Sequence, residues 1–366
     1  MKTVGIGLIG CGNISDTYLK GIAEFDILDL RGIGDLNADL AVAKAQDCGV
    51  RARSLEDIYA DPDIEIIVNL TIPKAHAAVA TQSLMAGKHA YSEKPLAVSF
   101  AQGKALVETA AQRGLRIGAA PDTFFGGAHQ AARAIVDAGT LGPLVGGTAF
   151  FMCPGHERWH PNPDFYYQKG GGPLLDMAPY YITDLVNLCG PVARVTGVAT
   201  LPRTERLITS APRKGERIAV EVATHISALL EFANGAVITL TTSFDVAGHK
   251  HSPLEVYGTE ATLLVPDPNG FGGAVQLIEK GGEFRDVAID LPYSDGNYRA
   301  IGVADMAYAI RNDRPHRASG DLALHVLEVM EAIMESSERG AAVTLTTTTA
   351  RPEALAGDLV NMKLAK

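Results

Sequence analysis

The chain opens as a repeating alternation of short apolar runs and segments of helical spacing. Val4 to Ile9 is apolar and punctuated by glycine, the pattern of a strand buried on both faces. Asn13 to Phe25 has helical spacing, Ile27 to Leu36 reads as a second strand, and Asp39 to Cys48 as a second helix. Ile64 to Leu70 is a further strand, Ala75 to Ala86 an alanine-rich helix, His89 to Ser92 a short strand, and Ala101 to Arg113 another helix. Leu115 to Ala119 closes the series. Repeated strand–helix units predict an α/β fold class: a doubly wound parallel sheet of Rossmann type, covered on both faces.

The texture then changes. A helix at about Ala128 to Ala138 precedes a strand, Pro143 to Met152, and a loop from Cys153 to Gly172 rich in Pro, Gly and aromatics. Pro173 to Leu188 is helical. From Val192 to Ile289 strand runs follow one another without helices, and Asn234-Gly235 between two β-prone runs marks a hairpin. Two helices follow, about Arg299 to Arg311 and Asp321 to Glu338. Strands with few helices predict an α+β domain on an open, largely antiparallel sheet. The expected division is 1–122 and 123–366, in keeping with about two domains for 366 residues.

Charge narrows the partners. A net charge of -10 repels phosphate backbones and anionic lipid, so neither nucleic acid nor a membrane is expected as a partner. Cys11, Cys48, Cys153 and Cys189 form no paired or metal-binding spacing, and a reduced compartment suits them. With no signal-peptide layout at the N-terminus, a cytoplasmic location is expected.

The chemistry starts at Gly10-Cys11-Gly12-Asn13-Ile14-Ser15, between the first strand and first helix. A tight glycine turn there lets the backbone approach a pyrophosphate at a helix N-terminus. The third small position is Ser15. Asp35 lies 20 residues beyond it at the end of the second strand, suited to accept hydrogen bonds from a ribose 2′-OH and to repel a 2′-phosphate. With Leu36 and Asn37 next, NAD is favoured over NADP. Glu93-Lys94-Pro95 and Asn69-Leu70-Thr71-Ile72-Pro73-Lys74-Ala75-His76 stand at the carboxyl ends of strands, where α/β sheets bind ligands. Gly170-Gly171-Gly172 starts a helix on which Asp176 and Tyr180, four apart, share one face.

Together these segments resemble the Gfo/Idh/MocA oxidoreductase family, over nearly the whole chain. The resemblance implies a Rossmann domain plus an open-sheet domain that commonly mediates dimers or tetramers, and oxidation or reduction of sugars, polyols and related cyclic alcohols. It places cofactor contacts at Gly10, Gly12, Asn13, Ile14 and Asp35, at Thr71, Pro73 and His76, and at Glu93 and Lys94. Lys94 takes the family's catalytic lysine position and Asp176 its helix aspartate; Tyr180 stands where most members carry a histidine. The loop Gly155 to Pro161 and Pro121 to Phe125 are similar to those of trehalose-utilisation dehydrogenases within the family.

The expected reaction is hydride transfer from a secondary hydroxyl to NAD, with Tyr180 taking the proton beside Lys94 and Asp176 either hydrogen-bonding the substrate or positioning Lys94. His156, Trp159 and His160, in the loop expected to cover the substrate, are further candidate contacts, and either histidine is the alternative base. No metal is expected: the loop prolines disfavour the helix that His156 and His160 would need. Two other readings carry distinct signatures. An NAD-dependent glycosidase would cleave glycosides without net NADH, and a non-catalytic sugar sensor would bind NAD without turnover.

Overall fold

The structure, a computed structural model, describes residues 2–355. Residues 356–366, assigned from the sequence to the second domain, lie outside the described residues. Contacts divide the chain into two compact units.

The first unit begins with β1 (Val4–Ile9), α1 (Ser15–Glu24), β2 (Leu28–Gly34), α2 (Ala38–Asp47), α3 (Leu55–Ala60), β3 (Ile66–Asn69), α4 (Pro73–Met85), β4 (His89–Ser92), α5 (Phe100–Gln112) and β5 (Ile117–Ala119). The strands form one parallel sheet in the order β2-β1-β3-β4-β5. All six side chains of β1 are buried, as its unbroken apolar run requires of a central strand. The short helix α3 carries no long apolar period and was not apparent in the sequence. Its start is set by Ser54, whose side chain accepts from Asp57 N.

The second unit contains α6 (Gly127–Asp137), β6 (Leu144–Met152), α7 (Gly172–Cys189), β7 (Val192–Thr200), β8 (Glu205–Leu207), β9 (Arg217–Ala219), β10 (His225–Phe232), β11 (Val237–Ser243), β12 (Leu254–Gly258), β13 (Ala261–Val265), β14 (Gln276–Glu279) and β15 (Arg285–Asp286). The chain then adds α8 (Ile301–Asn312), α9 (Gly320–Arg339) and β16 (Val343–Thr344). The large sheet runs β15-β14-β13-β12-β6-β11-β10-β7-β16, antiparallel except where β6 and β11 lie parallel. The α7 helix packs on β6, β10 and β11. The opposite face stays open, with Val198, Leu229 and Val237 at least two-fifths exposed.

The expected single boundary after residue 122 is corrected. Residues 291–327, with α8, count with the first unit, as do residues 352–355; α9 belongs with the first unit to Leu327 and with the second from Glu328. Burial explains the return. The fully buried Asp122 carboxylate accepts the backbone N–H groups of Ala300 (3.1 Å) and Gly302 (3.0 Å), tying the start of α8 to the end of β5. Gly21 on α1 lets this segment approach: a Cβ there would stand 1.8 Å from the Arg299 carbonyl oxygen. Burial pushes the Asp122 carboxyl up to about 6.

Among the described residues no helix is long and apolar enough to cross a membrane. All four cysteines are free thiols.

The core of the second unit holds a histidine–carboxylate pair out of water. His129 on α6 points Nδ1 at Asp184 on α7 (2.8 Å) and Nε2 at the Gly270 carbonyl (3.1 Å), and both partners' side chains are at most 1% exposed. Burial opposes the imidazolium, but the Asp184 charge and hydrogen bond outweigh it and raise the His129 pKa. His129→Ala is expected to cost about 3–5 kcal/mol of stability, because it strands a buried carboxylate. The native contribution is complete below the ordinary histidine value of 6.5 and is lost as pH rises through the elevated folded-state value. Urea unfolding at stepped pH measures both, and a variant with native stability and native pH dependence would contradict the charged pair.

Candidate active site

The glycine turn joins β1 to α1 and is shaped by its own backbone. Gly10 has φ +105, and a Cβ there would meet the Leu70 carbonyl carbon at 2.6 Å. Gly12 is different: a Cβ would find nothing within 4 Å. Asn13 is exposed and Ile14 half-buried. Ile14, the N-cap residue of α1, makes no side-chain cap hydrogen bond, the kind of helix start at which backbone N–H groups can receive an anion.

Asp35 directly follows β2 and is tied back to this turn. Its Oδ2 accepts Cys11 N at 2.7 Å and its Oδ1 accepts Asn37 N at 2.8 Å. The carboxylate thus has a fixed orientation beside the glycines. Burial and the Asp35 charge push the Cys11 thiol up to about 11, so Cys11 is no nucleophile. Two exposed apolar side chains not singled out from the sequence flank the turn: Leu36 (94% exposed) after β2 and Ile72 (68%) after β3. Since β1 lies between β2 and β3, they stand on either side of it. Their signal was available, as isolated apolar residues just past strand ends, but such residues are common on surfaces.

The turns after β3 and β4 are clipped together. Asn69 Nδ2 donates to the His76 carbonyl (3.1 Å) and Ser92 Oγ (3.2 Å), and Asn69 Oδ1 accepts from Thr71 Oγ1 (2.7 Å). Pro73 starts α4, where its missing N–H costs nothing. His76 is 1% exposed; Nδ1 lies 2.7 Å from the Pro95 carbonyl and Nε2 3.0 Å from the Thr71 carbonyl. Burial lowers its pKa, so the ring is neutral and donates to one carbonyl at a time. The structure places His76 against backbone, between the two turns, rather than open to a ligand.

Glu93 is 7% exposed and committed at both oxygens. Oε1 accepts from the buried Tyr18 hydroxyl (2.8 Å) and Oε2 from Lys94 N (3.0 Å). Burial, then the Glu93 charge, raise the Tyr18 pKa well above its ordinary value, so the phenol stays a donor. The pair fixes the backbone that carries Lys94 at the carboxyl end of β4.

In the second unit the loop from Cys153 to Gly171 brings His156 to Asp176. His156 is 8% exposed; its Nε2 lies 3.1 Å from Asp176 Oδ2, and Trp159 Nε1 donates to its Nδ1 at 3.2 Å. Trp159 remains 61% exposed. His160 Nδ1 accepts from Asn162 N at 3.1 Å, and burial lowers its pKa. Asp176 and Tyr180 both lie on α7, as their spacing predicts; Asp176 is half-buried and Tyr180 buried at 6%. A cavity of about 570 Å³ is lined by Phe151, Cys153, His156, Arg158, Trp159 and Thr209 among others. Among the described residues no three His, Cys, Asp or Glu side chains converge to hold a metal.

Known proteins share this design. Residues 4–120 match the model of an oxidoreductase family with an NAD-binding Rossmann fold, and residues 129–264 match the GFO/IDH/MocA C-terminal domain. Levoglucosan dehydrogenase of Pseudarthrobacter phenanthrenivorans is 24% identical over 291 residues, covering 72% of this chain and 74% of that protein. Trans-1,2-dihydrobenzene-1,2-diol dehydrogenase of Bos taurus is 25% identical over 280 residues, 75% of this chain and 77% of that one. The solved apo levoglucosan dehydrogenase shares the fold with a TM-score of 0.84 at 22% identity, covering 95% of this chain and 100% of its own. An aldose-aldose oxidoreductase from Caulobacter crescentus complexed with glycerol has a TM-score of 0.79 at 21% identity, over 94% of this chain and 100% of that chain.

The open space at Gly12 gives a direct test. Gly12→Ala is expected to leave the melting temperature at the native value while weakening NAD binding about tenfold or more. Gly10→Ala, with its clash and positive φ, should lower the melting temperature itself. Native NAD affinity in Gly12→Ala, measured by calorimetry, would contradict the assignment of this turn. Matched in both its parts, the chain belongs to the GFO/IDH/MocA oxidoreductase family and carries that family's NAD-binding Rossmann domain.

Proposed function

We propose that the protein is an NAD-dependent dehydrogenase that oxidises a secondary hydroxyl of a sugar or cyclic polyol. One observation carries most of this reading. The turn after β4 is built around Glu93, whose two oxygens are spent on Tyr18 and Lys94 N, and it holds Lys94 at the sheet end that also bears the glycine turn. Levoglucosan dehydrogenase, similar over most of its length, supports the sugar class.

NAD, when bound, supplies the acceptor for the hydride. It would be held by the α1 N-terminus and the Gly10–Gly12 turn, with Asp35 toward the ribose and Leu36 and Ile72 offering apolar surface to the base. The Asp35 carboxylate disfavours a 2′-phosphate, and Arg53, across the neighbouring hollow, is already paired with Asp61. Lys94 hydrogen-bonds the substrate hydroxyl and stabilises the developing alkoxide. Asp176 orients the substrate. Tyr180 takes the hydroxyl proton. His156 is poorly placed as the base, because its Nδ1 lone pair already receives the Trp159 indole proton.

Lys94→Ala is expected to reduce kcat by about a hundredfold or more while NAD still binds. NADH formation over a sugar and polyol panel measures it, and near-native turnover in the variant would sink the scheme. Asp35→Asn should narrow the preference for NAD over NADP by about tenfold, read as the ratio of the two kcat/KM values. An unchanged ratio would remove Asp35 from cofactor choice.

A further inference from the structure

The loop before α7 contains a hydrogen-bonded chain whose polarity is dictated by chemistry. An indole N–H can only donate, so the 3.2 Å contact from Trp159 Nε1 makes His156 Nδ1 the acceptor. The proton of the neutral imidazole then sits on Nε2, along the 3.1 Å contact to Asp176 Oδ2. An imidazolium would set an N–H at Nδ1 against the indole N–H. Trp159 therefore selects the His156 tautomer.

The surroundings leave the ring little freedom. Phe244 and Tyr166 stand 4.5 and 4.4 Å from it, ring centre to ring centre. The His156 backbone N–H donates to the Tyr167 hydroxyl at 3.1 Å. The titratable and charged groups around it are Asp176 from α7, Glu157, Arg158 and His160 along its own turn, Tyr166 and Tyr167 later in the loop, Cys153 just past β6, and Arg206 from β8 beyond Glu157.

We propose that His156 is the positioning residue for Asp176, locked by Trp159 in the tautomer that donates to the carboxylate. The lock holds Asp176 in one orientation toward the substrate. It rests on the reading of Asp176 as a substrate-contacting group. The helix position four beyond Asp176 is tyrosine, so the imidazole in this site comes from the loop and acts on the carboxylate, not on the reacting hydroxyl.

The test uses the full-length enzyme. Trp159 is the chain's only tryptophan and is largely exposed, so Trp159→Phe removes the donor while keeping a ring and an intact core. With ¹⁵N-labelled histidine, NMR at pH 7 should show native His156 neutral and protonated at Nε2, a mixture of tautomers in Trp159→Phe, and a moved Nε2 signal in Asp176→Asn. An Nδ1–H or charged ring in the native protein, or an Nε2 signal indifferent to Asp176→Asn, overturns the lock. These signals need no turnover, so they stand apart from any failure of the dehydrogenase reading. In turnover, His156→Gln, whose amide donates without titrating, should stay within a few-fold of native kcat, whereas His156→Ala should lose about tenfold to a hundredfold with NAD affinity unchanged. Equal losses in the Gln and Ala variants would overturn the positioning role.

Discussion

The candidate substrate loop depends on one buried cation. Arg206 on β8 is 4% exposed, and a guanidinium taken out of water is costly unless its donors are matched. Here it donates to Glu157 Oε1 (2.9 Å), to the Phe244 carbonyl (2.8 Å) and to Asp245, and its Cζ stands 4.9 Å over the Tyr167 ring. Glu157 in turn accepts from the Tyr167 hydroxyl, and its carbonyl receives Thr209 N and Ser210 N. These contacts pin the single turn from His156 to Arg158 onto the short β8–β9 pair. The direction of the His156 ring toward Asp176 follows from where Arg206 can be satisfied.

The first unit fixes its turns with side chains too. The turns after β1, β3 and β4 are held by polar side chains from strand ends and turns: the half-buried Asp35 and the buried Asn69 and His76. Asp35 receives Cys11 N, Asn69 receives Thr71 Oγ1 and donates to Ser92 Oγ, and His76 lies between the carbonyls of Thr71 and Pro95. The parallel strands end in register, with Gly10 N, Leu70 N, Glu93 N and Ala120 N still donating to the last strand carbonyls, and the side chains hold the backbone just beyond that point.

Much of this was legible along the chain. β1, β4 and the β10–β11 hairpin stand where the apolar runs and Asn234-Gly235 put them, because strand burial and turn chemistry are local signals. α1 begins at Ser15 rather than Asn13, since the glycine turn takes up the intervening residues. The return of residues 291–327 to the first unit left no trace in periodicity. It depends on Asp122 accepting two amides 178 and 180 residues away, and such pairings carry no spacing rule.

The sequence alone determined that a dinucleotide turn precedes a helix, that an acidic residue follows the second strand, and that Asp176 and Tyr180 share a helix face. All three follow from periods of two or 3.6 residues and from the steric needs of glycine. Only the tertiary structure decided that His76 faces backbone carbonyls, that Glu93 is spent on Tyr18 and Lys94 N, and that Trp159 Nε1 donates to His156 Nδ1. Those outcomes turn on which donors and acceptors are shut away from water together, and that is settled by burial, which no stretch of chain specifies by itself.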